Sequence, residues 1–186
     1  KQQWLASTKP WAKKGSFDLI FYSEGVLVTA SSHGNHAISA KDGSHLWDYT
    51  YPRIGHGGSF TKVMAARGLI WVHTANSQGS GQYAWEGLDP QTGKMKKRWL
   101  QTKAYKDRHR CSSGVGTSNV FLCGSMSFAD LESGGYQKFE AARTSCRAAG
   151  LVPANGLVYT FPHACGCYAM LRGFLALETN PQADSL

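Results

Sequence analysis

Leu88-Asp89-Pro90-Gln91-Thr92-Gly93-Lys94-Met95-Lys96-Lys97-Arg98-Trp99 is the stretch on which the reading of the fold turns. An apolar residue closes one strand, a five-residue turn follows, and a charged strand runs out to a tryptophan. The aspartate can accept hydrogen bonds from the backbone of its own turn, and the glycine supplies positive φ without steric cost. That combination is the chemistry of a tight hairpin. Two related turns stand elsewhere: Lys41-Asp42-Gly43-Ser44 leads to Leu46-Trp47, and Glu132-Ser133-Gly134-Gly135 leads to Lys138-Phe139.

Upstream of these turns the chain repeats a second pattern. Gly25-Val26-Leu27-Val28-Thr29-Ala30, Gly68-Leu69-Ile70-Trp71-Val72-His73, Asn119-Val120-Phe121-Leu122-Cys123-Gly124 and Gly156-Leu157-Val158-Tyr159-Thr160-Phe161 each set an apolar strand after a turn residue. The starts lie 43, 51 and 37 residues apart, and the third has Asn in place of Gly. A second short strand follows each: 36–40, 84–89, 128–132 and 173–178. Spacing of this size fits one β-propeller blade of four short antiparallel strands. The expected fold is all-β, with about four blades at 15–52, 53–104, 105–142 and 143–178 in a single propeller segment. Trp47, Trp99 and Phe139 would close their units by docking between neighbouring blades, where an aromatic ring buries a large apolar area. Trp4, in Lys1-Gln2-Gln3-Trp4-Leu5, reads as the last strand of a preceding or closing blade over residues 1–8. The fourth unit stops after Gly173–Glu178 without a closing aromatic strand. The expectation is therefore a part of a larger ring, completed by a further propeller segment or a protein subunit.

The run from Leu88 to Trp99 resembles the tryptophan-docking repeat of quinoprotein-type propellers, and the likeness extends over most of residues 15–178. The second half adds Arg110-Cys111, Asp130-Leu131-Glu132, Cys146-Arg147, Pro153 to Tyr159, Pro162-His163-Ala164-Cys165-Gly166-Cys167-Tyr168 and Gly173 to Leu177. In these it is similar to a cysteine-bearing group of PQQ-binding-like β-propeller repeat proteins from planctomycetes and related bacteria. The resemblance implies a propeller scaffold and an exported bacterial protein, periplasmic or extracellular; Cys123 has no counterpart in that pattern.

Composition bounds the function. Aromatic residues reach 12%, glycines number 21 and charged residues only 17%, a mix suited to strands and tight turns. No apolar run is long enough for a membrane-spanning helix. The chain starts at Lys1, without Met or a leader, so it is expected to begin at a processed end or inside a longer chain. The net charge of +8 raises a nucleic-acid reading, but Lys9, Lys13, Lys14, Lys94, Lys96, Lys97, Arg98 and the 103–110 stretch fall at turns and strand edges. There lysine discourages edge-to-edge pairing, and no nucleic-acid partner is expected.

All five cysteines, Cys111, Cys123, Cys146, Cys165 and Cys167, lie in the C-terminal half. Clustering of this kind means disulfides or a metal. The favoured reading is two bridges among Cys111, Cys146, Cys165 and Cys167, as suits an exported protein. The alternative is a copper or zinc site drawn from His109, Cys111, Cys146, His163, Cys165 and Cys167, since thiolate and imidazole suit those metals. A pyrroloquinoline-quinone site would need a calcium or lanthanide ion and a catalytic carboxylate. Asp42, Asp89 and Asp130 fall at repeat turns, where bonding to their own backbone is the ordinary role. The Arg53-Ile54-Gly55-His56-Gly57-Gly58-Ser59-Phe60 stretch lacks the strand-then-helix context of a phosphate loop, and His33, His36, His56 and His73 are scattered. The leading expectation is an exported binding or assembly module without a complete catalytic site. Its rivals are a redox subunit using pyrroloquinoline quinone or copper, and a structural subunit of an extracellular assembly.

Overall fold

The computed structural model describes residue 4 and residues 19–31, 34–50, 63–75, 83–100, 115–123, 127–138, 151–160 and 173–178. Every regular element among them is a strand. Sheet 1 runs β1 (Leu19–Ser23), β2 (Val26–Ser31), β3 (Gly34–Ser39), β4 (His45–Thr50). Sheet 2 runs β5 (Val63–Ala66), β6 (Leu69–Ala75), β7 (Tyr83–Leu88), β8 (Met95–Leu100). Sheet 3 runs β9 (Val115–Gly116), β10 (Val120–Cys123), β11 (Ser127–Asp130), β12 (Tyr136–Lys138). Sheet 4 has three strands, β13 (Leu151–Ala154), β14 (Leu157–Thr160) and β15 (Leu175–Leu177). Each sheet is an antiparallel meander in chain order. These are β-propeller blades, three complete and the fourth with three strands among the described residues. The chain divides into two compact units, Lys1–Arg108 with sheets 1 and 2, and His109–Leu186 with sheets 3 and 4.

Local chemistry explains why each meander forms. The first hairpin of sheets 1, 2 and 4 turns on two left-handed residues, Glu24-Gly25 (φ 50° and 78°), Arg67-Gly68 (54° and 70°) and Asn155-Gly156 (53° and 76°). Two positive φ values in succession give the two-residue turn whose twist matches that of the strands. Sheet 3 departs from this, which explains its Asn119. Its turn is organised by Thr117, whose Oγ1 accepts from the N–H groups of Asn119 (3.2 Å) and Val120 (3.0 Å). Nothing there requires a glycine.

The second hairpins share one hydrogen-bond plan. Ser39, Asp89 and Asp130 each donate their N–H across the turn, to Ser44, Lys94 and Gly135, and accept from Gly43, Gly93 and Gly134. This equivalence fixes the register between sheets. It matches Ala40 with Pro90 and Leu131. Ala40 and Leu131 donate their N–H groups back to Gly25 and Asn119, at 2.9 Å each; Pro90 has no N–H to give.

The same register sets the two tryptophans at different positions along their strands. Trp47 lies four residues past its turn glycine and pairs with Ala37, while Trp99 lies six past Gly93 and pairs with Trp85. The residue matched to Trp47 in sheet 2 is Lys97, opposite Gly87. Both sheets carry a register shift here, between Ala37 and Ile38 and between Gly87 and Leu88. The offset of Trp99 can be counted from its turn glycine, but the two register shifts cannot. Phe139 lies outside the described residues.

In the first unit the core forms where sheet 1 faces sheet 2. Val26, Val28 and Ala30 alternate along one face of β2 and pack with Ala37, Trp47, Val63, Ile70, Val72 and Leu88. Period-two alternation puts all three β2 residues on that face. In the second unit a smaller core gathers Val120, Phe128, Val158 and Leu177 around Leu122.

Candidate functional site: the seams between sheets

The seam of the first unit is sealed by an indole. Trp47 is 6% exposed, and its Nε1–H donates to the Pro90 carbonyl of sheet 2 at 2.7 Å. The ring lies so close to the Gly93 backbone that a Cβ there would stand 2.7 Å from Trp47 Cδ2. Trp4 repeats the arrangement on sheet 1. Its Nε1–H donates to the Ala40 carbonyl at 3.1 Å, and a Cβ on Gly43 would stand 2.6 Å from Trp4 Cε3. Ala40 and Pro90 are matched positions, so both indoles read the same carbonyl and glycine of the repeat turn. A polar bond at the rim and ring burial behind it make the turn a tryptophan receptor.

The turns that receive the indoles are held by their own carboxylates. Asp89 Oδ1 accepts from the N–H groups of Gln91 and Thr92 and from the Thr92 hydroxyl. Asp130 Oδ1 accepts from Glu132 and Ser133 N–H, each at 2.8 Å. Asp42 serves Ser44, and the Ser44 hydroxyl and N–H hold its carboxyl down at about 2. Asp89 is lowered by its bond from the Thr92 hydroxyl first and the Thr92 N–H second. Across the seam, Gln91 Nε2 donates to the Glu24 carbonyl at 2.6 Å, tying the second hairpin of sheet 2 to the first of sheet 1.

A buried carboxylate spans the same seam. Glu86 on β7 is 7% exposed; it accepts from the Tyr49 hydroxyl of sheet 1 through Oε2 and pairs with Arg98 Nε through Oε1 at 3.1 Å. Burial of the phenol, then its bond to the Glu86 carboxylate, push the Tyr49 pKa well above its ordinary 10.0. A phenol whose ionisation is resisted only in the folded state adds stability below pH 10.0 that is lost as pH rises beyond it. Tyr49→Phe is therefore expected to cost about 1–2 kcal/mol at neutral pH. The same variant should flatten the alkaline loss of stability, read by urea unfolding across that range. An unchanged alkaline slope would rule out Tyr49 as its source.

On the other side of sheet 1, His36 Nδ1 and His45 Nε2 both lie 2.9 Å from Asp48 Oδ1. Burial raises the Asp48 pKa, but the bonds from His36 and His45 outweigh it and hold the carboxyl below its usual value. His45 was not singled out in the sequence, because its meeting with His36 depends on strand register and the β3–β4 bulge. Both imidazole nitrogens are directed at one oxygen. Among the described residues no group of three His, Cys, Asp or Glu is arranged to hold a metal ion.

The cysteine–histidine set His109, Cys111, Cys146, His163, Cys165 and Cys167 lies outside the described residues, as do His33, His56 and the 53–60 stretch. Cys123 ends β10, opposite Ser127.

The second unit has an open seam. A cavity of about 340 Å³ at its turn end is lined by Val120, Leu122 and Phe128 of sheet 3 and by Pro153, Leu157 and Val158 of sheet 4, with Thr117 and Asn155 among the polar residues around it. Among the described residues no helix is long and apolar enough to cross a membrane.

No family model matches this sequence, and no curated protein does. Among solved structures, BamB from Moraxella catarrhalis is similar at 14% identity and a TM-score of 0.44, over 73% of this chain and 39% of that one. The Neurospora crassa Pan2 WD40 domain is similar at 9% identity and a TM-score of 0.49, over 83% of this chain and 45% of that one. The chain spans less than half the length of either structure.

Proposed function

We propose that this chain is a binding and assembly module: an exported propeller segment that completes its structure with further propeller sheets or a partner subunit. What carries the reading is how its polar side chains are used. Asp42, Asp89 and Asp130 hold turns, and Glu86 is closed between Tyr49 and Arg98. An active site needs a base aimed at open space; these four carboxylates face their own chain. Trp4 adds a positive indication, since it docks on sheet 1 in the manner of a fourth-strand tryptophan from another blade. Envelope residence rests on the cysteines, with Cys111, Cys146, Cys165 and Cys167 paired in two bridges.

Chemical cross-linking of the full-length protein in its native host, followed by mass spectrometry, tests the reading. Reproducible links from this chain to one polypeptide are expected. A monomer carrying a tightly held chromophore or redox metal would overturn it. For the bridges, denaturing alkylation without reductant should label Cys123 alone, and all five cysteines after reduction. Labelling of all five without reductant would exclude the bridges.

A further inference from the structure

We infer that the open seam between sheets 3 and 4 is a receptor for an aromatic side chain, presented by an extended segment of a partner polypeptide. The inference deepens the binding-module reading and rests on it. Its basis is a residue-by-residue match between the two seams. The shared turns and strand pairings place Val120 with Val26, Leu122 with Val28, Phe128 with Ala37, Val158 with Ile70 and Leu177 with Leu88. In the first unit, Val26, Val28, Ala37, Ile70 and Leu88 share one buried cluster with Trp47. In the second unit, Val120, Leu122, Phe128 and Val158 surround a cavity of about 340 Å³.

Among the described residues no aromatic side chain of sheet 3 takes the tryptophan's place, and Phe139 lies outside them. Ala37 faces Trp47 across β3–β4, whereas Phe128 faces Gln137 across β11–β12, with no bulge between them. Gln137 is exposed, so the residue in the tryptophan's place does not fill the seam. Phe128 for Ala37 returns part of that volume, and the remainder lies within the range of ligand pockets. The apolar walls suit an aromatic ring. The Thr160 hydroxyl, two residues beyond Val158 on the same face of β14, is buried and has no hydrogen-bond partner among the described residues. It replaces Val72 of the sealed seam, a further sign that this seam is not finished as the first one is. The first unit closes its seam with a side chain carried on a strand, so a strand-borne ring is the occupant that copies the chain's own solution.

Methyl-detected NMR titration of the full chain tests this with two probes: N-acetyl-tryptophanamide, and a capped five-residue peptide, Ser-Thr-Trp-Thr-Ser. Saturable shifts at Val120, Leu122, Leu157 and Val158 are expected with both, the peptide binding at least about tenfold tighter through its added backbone contacts. Gln137→Trp should fill the cavity from within, abolish those shifts and raise Tm by about 4–8 °C. Ala154→Trp, at an exposed rim position, should block entry without touching the core. Shifts that persist in both variants, or no saturable shift at these methyls, would overturn the receptor. A peptide no tighter than the amide would overturn the polypeptide occupant. Cross-links to a partner at another surface would leave the binding-module reading standing while this inference failed.

Discussion

Trp47→Ala is expected to destabilise the unit Lys1–Arg108 by about 3–5 kcal/mol, the cost of removing a large buried aromatic. Two terms add. The indole leaves a void among Val26, Val28, Ala37, Ile70 and Leu88, and the buried Pro90 carbonyl loses the donor that reached it at 2.7 Å. Trp47→Phe separates them. It keeps most of the apolar ring and removes the N–H, so a smaller loss of about 1–2 kcal/mol is expected. Chemical unfolding followed by circular dichroism reads both. A loss below about 1 kcal/mol for the alanine variant would mean that the indole does not seal the seam.

Gly93→Ala is the second large effect, though it adds only a methyl group. The residue sits at φ 67°, where a side chain costs about 1–2 kcal/mol. Its Cβ would also stand 2.7 Å from Cδ2 and 2.8 Å from Cγ of the Trp47 ring. That ring is packed against the core and tethered to Pro90, so it cannot swing aside. Together about 2–4 kcal/mol of destabilisation is expected. Gly25→Ala supplies the contrast. It shares a left-handed φ, 78°, but nothing lies within 4 Å of the added Cβ, so only the backbone cost should appear. Equal losses at the two positions would show that no indole crowds Gly93.

The turn chemistry was legible in the sequence because it is local. Asp89, Thr92 and Gly93 bond within a few residues of each other, and the apolar strands before each turn announce themselves by composition. The first strands of the four sheets were harder to see. β9 has two residues and β13 contains Pro153, so neither shows the alternation by which strands are read. Features that depend on pairing were invisible. Trp99 lies two residues further from its turn glycine than Trp47, a difference the sequence carries, but the bulge in each sheet and the residues it brings face to face could not be read from it. Glu86 looked unremarkable beside the turn aspartates, because its value comes from Tyr49, 37 residues away. The open seam of the second unit could be found only by comparing two sets of facing residues. The cysteines were legible as a cluster through composition alone, because spacing in the chain does not encode which of them meet.

In the first unit Trp47 of sheet 1 is received by the turn of sheet 2, at a glycine that leaves room for its ring. A double-mutant cycle between Trp47 and Gly93 tests it most directly, with urea unfolding of the wild type, Trp47→Ala, Gly93→Ala and the double variant. With the indole gone, the methyl at position 93 has nothing to strike and only the backbone cost remains. The two losses should therefore fall short of additivity by about 1–2 kcal/mol. Additivity within about 0.3–0.5 kcal/mol would mean that ring and turn do not touch, and would contradict the account.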